Sequence, residues 1–247
     1  GVGGRLGEPA APAFGSRFVT ADGQWRASRV AELGLVPQFN GDSMRLAVAG
    51  AGHAVAAWLA VDGSNLMRVW ASRRLADGSW EAPVAVGTPA DGDAAMAELA
   101  MEVDGTAHVV WSASPGGGQT HVLTARRGAA DAAWSNPVQL SLPTLVTNIE
   151  PAIAAGASGA VYVAWVAGDS LPYAIHLSKL QDDGSWSEPT QANEANGRSV
   201  LVPLIAVDRH ARALLAWPER DGGGLTRLVA RQFRADIRVP EAVGPAA

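Results

Sequence analysis

The chain has 247 residues, of which 48% are hydrophobic and 17% charged, with a formal net charge of −5 and no cysteine. Length and hydrophobic fraction suit one compact all-β domain, and the absence of cysteine excludes disulfides, thiolate catalysis and Cys-ligated metals. No apolar stretch approaches the ~20 residues of a membrane-spanning helix, and 18 Arg against one Lys, scattered along the chain, leave nucleic acid without a basic footprint.

In chain order, residues 1–14 (GVGGRLGEPAAPAF) form a small-residue, proline-containing segment. It reads as a tether after a removed signal peptide or lipid-modified cysteine, or as a strand completing the unit that follows. The expectation is an extracytoplasmic protein, secreted, periplasmic or lipid-anchored. The scarcity of residues with A/T-rich codons points to a bacterial source. Residues 15–31 (SRFVTADGQWRASRVAE) supply two strands around a tight turn. Four longer units follow, over 44–86, 97–140, 151–191 and 203–241. They open as MRLAVAGAGHAVAAW, AELAMEVDGTAHVVW, PAIAAGASGAVYVAW and PLIAVDRHARALLAW, each two apolar runs ending in tryptophan.

These tryptophans, Trp58, Trp111, Trp165 and Trp217, recur at gaps of 53, 54 and 52 residues. A second series, Trp25, Trp80, Trp134 and Trp186, runs in step, with Ile237 in fifth place. Pro83, Pro137, Pro189 and Pro240 follow its last four members by three residues. Two phased series at ~50 residues mean one supersecondary unit copied about five times. Turn residues divide each full unit into four strands of five to eight residues, one antiparallel sheet per repeat. No apolar i, i+3, i+4, i+7 stripe persists between the Gly and Pro breaks, so helices are excluded. The prediction is an all-β, β-propeller domain over 1–247, five-bladed, with the incomplete N-terminal blade at 15–31. An open ring would expose sheet edges, which argues for completion of that blade.

The turns between third and fourth strands, TADGQW (20–25), LADGSW (75–80) and QDDGSW (181–186), resemble shortened Asp boxes of sialidases and related BNR-repeat propellers. In that family the Asp and Gly close the turn and the Trp packs between blades, opposite the active face. GAADAAW (128–134) lacks the turn glycine and RADIRVP (234–240) lacks the Trp. The resemblance spans nearly the whole chain and implies fold rather than chemistry. A sialidase catalytic set, a tyrosine nucleophile with a Glu partner, an acid Asp and three arginines, is not recognisable. Tyr162 sits in a strand pattern, and Arg68, His121 and Arg227 repeat one position in three blades, ten residues after a repeat tryptophan.

Five-bladed propellers also resemble arabinan and xylan hydrolases, whose carboxylates project into the central funnel from the innermost strands. That chemistry needs an acid and a base ~6.5–9.5 Å apart for inversion. The first strands offer Glu98, Glu102 and Glu150, with Arg45 at the position equivalent to Glu98. Tyr173 follows the GDSLP turn and completes the weak catalytic set of Glu98, Glu150 and Tyr173. The competing reading makes these solvated strand ends. The five histidines are spread over four blades without metal-binding spacing. Only ADGDA (90–94) offers clustered oxygen ligands of the kind Ca²⁺ takes.

Loops between blades and between strands two and three emerge on one face around the channel, where binding is expected. The candidate ligand-binding residues there are Asn40, Arg45, Asp93, Asn148, Asp169, Tyr173 and Glu219. These loops do not repeat, which favours one composite site over multivalent sugar binding. The sequence predicts a non-catalytic binding or scaffolding propeller recognising a protein or glycan, with a glycoside hydrolase as the alternative.

Overall fold

The structure, a computed structural model, describes residues 14–19, 24–29, 44–49, 52–75, 77–234 and 241–242, with the backbone alone in the first, second and last of these ranges. Apart from one 3-10 turn at Pro89–Asp91, the regular structure among them is antiparallel β. Strands β1 (Phe14–Val19) and β2 (Gln24–Arg29) form a separate hairpin with Phe18 opposite Trp25. Three four-stranded sheets follow. The first contains β3 (Arg45–Val48), β4 (Ala54–Val61), β5 (Met67–Arg74) and β6 (Val84–Val86). The second contains β7 (Asp93–Met101), β8 (Ala107–Gly116), β9 (Gln119–Arg127) and β10 (Val138–Gln139). The third contains β11 (Thr147–Ala155), β12 (Val161–Gly168), β13 (Ala174–Lys179) and β14 (Thr190–Gln191). In the last sheet the innermost strand is split into β15 (Ser199–Val200) and β16 (Leu204–Val207), both paired with β17 (Ala213–Arg220). That sheet continues through β18 (Thr226–Phe233) to β19 (Glu241–Ala242).

The fourth strands are two or three residues long, shorter than the sequence predicts. Each begins directly after Pro83, Pro137, Pro189 or Pro240. Proline cannot donate to a ladder, so pairing starts only past it, and a short edge strand results. Asp77 and Asp183 each accept from the backbone N–H two residues on, at Ser79 and Ser185, both at 2.9 Å, with Gly78 and Gly184 at φ +90° and +82°. These serine donors hold both exposed carboxyls below the usual Asp range. The 20–23 turn lies outside the described residues.

Second strands alternate between neighbouring blades. Val55, Leu59 and Val69 of the first four-stranded blade pack on Val109, Trp111 and Leu123 of the second. Val110, Val122 and Leu140 meet Val163 and Trp165 of the third, whose Tyr162, Ile175 and Leu177 meet Leu215, Trp217 and Phe233 of the last. Of the four repeat tryptophans, Trp111, Trp165 and Trp217 therefore face the preceding blade, and Trp58 packs within its own blade on Trp70 and Trp80. All four are fully buried, and truncating any one to Ala should cost about 3–5 kcal/mol.

The last blade breaks this pattern on its far side. Leu228 is 85% exposed, whereas Val69, Val122 and Ile175, its equivalents opposite the residue after the tryptophan, are at most 1% exposed. Leu214 and Leu204 on the same blade are also exposed.

Candidate functional site

The innermost strands of all four blades surround one cavity of ≈ 490 Å³, which identifies their arrangement as radial. Arg45, Glu98, Ala152 and Leu204 each pair with the residue before a repeat tryptophan, namely Ala57, Val110, Ala164 and Ala216. Equal register sets these four side chains at one level of the channel, so a single ring position carries a cation, an anion, a methyl and an isobutyl group. Arg45 grips Glu98 with two hydrogen bonds, Nε to Oε2 at 2.8 Å and NH2 to Oε1 at 2.6 Å. The hydrogen bonds it donates to Glu98, outweighing partial burial, push the Arg45 guanidinium above its ordinary pKa.

Just above this ring the inner strands of the second, third and last of these blades carry one extra residue opposite the tryptophan. The ladder slips between Ala95 and Glu98 and between Ile149 and Ala152, and in the last blade the same interruption separates β15 from β16. Such bulges re-aim side chains. Here they turn Met96, Glu150 and Val202 into the cavity wall, with Pro151 and Pro203 beside them. Met96 and Glu150 adopt φ +52° and +54°, the left-handed region. Because both blades share it, this strained backbone belongs to the repeat and is not a mark of Glu150 alone. The Glu150 side chain makes no hydrogen bond or ion pair among the described residues.

The other candidates are placed as follows. Asn40 lies outside the described residues. Asp93 accepts from the Met67 N–H at 2.9 Å and so ties the second blade to the first. Asp169 accepts from the Val146 N–H at 2.9 Å and holds the linker into its own blade. Asn148 is fully buried, donating from Nδ2 to the carbonyls of Thr120 (2.8 Å) and Leu145 (2.9 Å). Tyr173 packs against the interface between the last two blades and is not among the channel residues. Glu219 is buried and accepts from Trp217 Nε1 (3.0 Å), Arg227 (3.1 and 2.8 Å) and Asn196 (3.2 Å). Burial opposes its ionisation, but these donors prevail and hold the carboxyl below its usual range. Of the predicted set, the structure brings together Arg45, Glu98 and Glu150.

Asp91 accepts from Thr88 N–H, and among the described residues no three His, Cys, Asp or Glu side chains converge as a metal would require. Sequence reasoning missed the apolar half of the channel, Met96, Pro151, Val202 and Leu204. It also missed a second polar cleft of ≈ 410 Å³ on the turn-bearing face, lined by Glu102, Arg126, Lys179 and Asp182. Near it, Glu102 holds buried His108 at 2.7 Å. The alternation of the inner strands could have flagged the channel residues. The cleft forms between turns of adjacent blades and carries no sequence signal.

No known family matches the sequence, and no curated protein is similar to it. Solved structures are similar in fold. The chain superposes on the Hadza microbial sialidase Hz136 with a TM-score of 0.59 at 15% identity, covering 81% of this chain and 45% of that one. It superposes on a polysaccharide lyase of family PL25, an ulvan lyase, with a TM-score of 0.61 at 12% identity, over 96% of this chain and 67% of that one. The GH93 α-L-arabinofuranosidase of Fusarium graminearum gives 0.56 at 11% identity, over 84% and 68%. The chain thus spans less than half the length of the sialidase and about two thirds of the other two. Antiparallel four-stranded sheets, inner strands around one channel, and these neighbours together identify the fold as a sialidase-like β-propeller.

Proposed function

We propose that this chain is a non-catalytic propeller that binds a glycan, or a glycan-bearing protein, at the loop-face mouth of its central channel. The observation that carries this reading is the Arg45–Glu98 pair. It occupies both oxygens of one of the two acids that converge on the channel. A hydrolytic pair needs one carboxyl free to give a proton and a second free to activate water or attack; here only Glu150 is unengaged. The volume of ≈ 490 Å³ falls within the range of small-ligand sites, and its mixture of an ion pair, a free carboxylate and apolar walls suits a sugar with both polar edges and a C–H face. The named neighbours, a sialidase, an arabinofuranosidase and an ulvan lyase, support a glycan as the ligand. We further assign the β1–β2 hairpin to the outer half of a fifth blade, since it keeps the spacing of a third and fourth strand.

One observation favours a second reading, a glycoside hydrolase, because Glu98 and Glu150 line the same channel. A glycan array with and without calcium, followed by hydrolysis assays on any sugar class retained, separates the two. Binding without turnover supports the proposal. Specific turnover that disappears in Glu98→Gln or Glu150→Gln replaces it with the hydrolase.

A further inference from the structure

Three positions recur in the same register in each four-stranded blade: the repeat tryptophan, the residue two places on, and the third-strand residue opposite that one. In the last blade they are Trp217, Glu219 and Arg227. Glu219 joins the other two, with Oε1 accepting from the indole N–H and Oε2 from the guanidinium. In the first four-stranded blade the same register places Ala60 opposite Arg68, two residues after Trp58. The indole and the guanidinium are kept, and the carboxylate between them is replaced by a methyl group. In the two middle blades the third-strand partner is not an arginine: Ala113 faces His121 and Ala167 faces Ala174.

Among the described residues, both donors in the first four-stranded blade lack an acceptor. Trp58 Nε1 is buried without a hydrogen-bond partner. Arg68 is 3% exposed, and its guanidinium makes no hydrogen bond or ion pair among the described residues. A buried cation without a counter-charge is costly, so this pair of donors has a strong electrostatic demand for an anion. Planar guanidinium and carboxylate match geometrically. The last blade shows which group satisfies that demand within this repeat.

We propose that Trp58 Nε1–H and the Arg68 guanidinium form a binding site for a small carboxylate ligand, whose carboxylate takes the place that the Glu219 side chain takes in the last blade. Arg68 is the second residue of β5, directly after the turn on the loop-bearing face. Arg68 and Trp58 do not line the channel, and the site stands apart from the one assigned above.

The test is an NMR titration of the ¹⁵N-labelled chain with sodium acetate and with sodium glucuronate, against sodium chloride at equal ionic strength. The Trp58 indole N–H resonance, identified by its loss in Trp58→Phe, should move saturably with at least one carboxylate. The expected Kd is on the order of 1 mM, since so small a ligand has few atoms with which to gain affinity. The Trp217 resonance should stay in place because Glu219 already occupies it. Arg68→Gln should weaken the response about tenfold or more. Ala60→Glu, which supplies the carboxylate from the chain itself, should abolish the response. If Ala60→Glu does not fold, Arg68→Gln decides. A Trp58 resonance that ignores both carboxylates, that chloride moves equally, or whose Kd is unchanged in Arg68→Gln overturns the proposal.

Discussion

Arg45 and Glu98, 53 residues apart, close a bidentate ion pair across the boundary between the first two four-stranded blades, at 2.8 and 2.6 Å. The channel's lining cation thereby neutralises one of its two lining acids. Each side chain is about one third exposed, so solvent screens the pair and discounts its contribution. In a double-mutant cycle of Arg45→Ala and Glu98→Gln, urea unfolding should give a coupling of about 0.2–1 kcal/mol that shrinks in 1 M salt. A coupling above about 3 kcal/mol would mean the pair is far drier than the structure shows.

Equivalent tryptophans should respond unequally to loss of the indole N–H. Trp217 donates to Glu219, whereas Trp165 Nε1 is buried without a partner among the described residues. Trp217→Phe removes a hydrogen bond and strips a donor from a buried carboxylate; Trp165→Phe removes only ring area. Thermal or urea unfolding should therefore show Trp217→Phe costing more by about 1–2 kcal/mol. Equal costs would show that the indole bond to Glu219 contributes nothing net.

Glu219 also sets a pH dependence. Its folded pKa is depressed, so the unfolded chain binds the proton more tightly. The linked stability is complete above the unfolded Glu value of about 4.3 and is lost as pH falls through the lower folded value. Asp208 acts in the same direction: its turn bonds, led by that from the Arg212 N–H, bring its pKa down to about 2. Melting curves between pH 6 and pH 2 should fall more steeply for the parent chain than for Glu219→Gln. Parallel curves would disprove the linkage.

The open face of the last blade predicts a contrast between equivalent positions. Ile175→Thr leaves a cavity and buries a hydroxyl, and should cost about 2–4 kcal/mol. Leu228→Thr at the exposed equivalent should change stability by at most about 0.5 kcal/mol and should raise solubility. A large loss for Leu228→Thr would show that this leucine is covered in solution.

The repeat, the strand count within a full unit, the short turns and the spacing of the tryptophan series were all legible in the sequence, because each rests on local periodicity and turn chemistry between neighbours in the chain. Even the equivalence of Arg45 and Glu98 follows from counting back from Trp58 and Trp111. What that counting cannot express is which side chains meet across a blade boundary. The tertiary structure decided that Arg45 consumes Glu98, that bulges turn Met96 and Glu150 into the channel, and that Asn148 and Glu219 are buried braces rather than open-face ligands. It also decided that Arg68 faces an alanine where Arg227 faces a glutamate. These contacts join residues of different strands or blades, and their outcome depends on blade stacking and ladder slips, which a single repeat's own pattern does not encode.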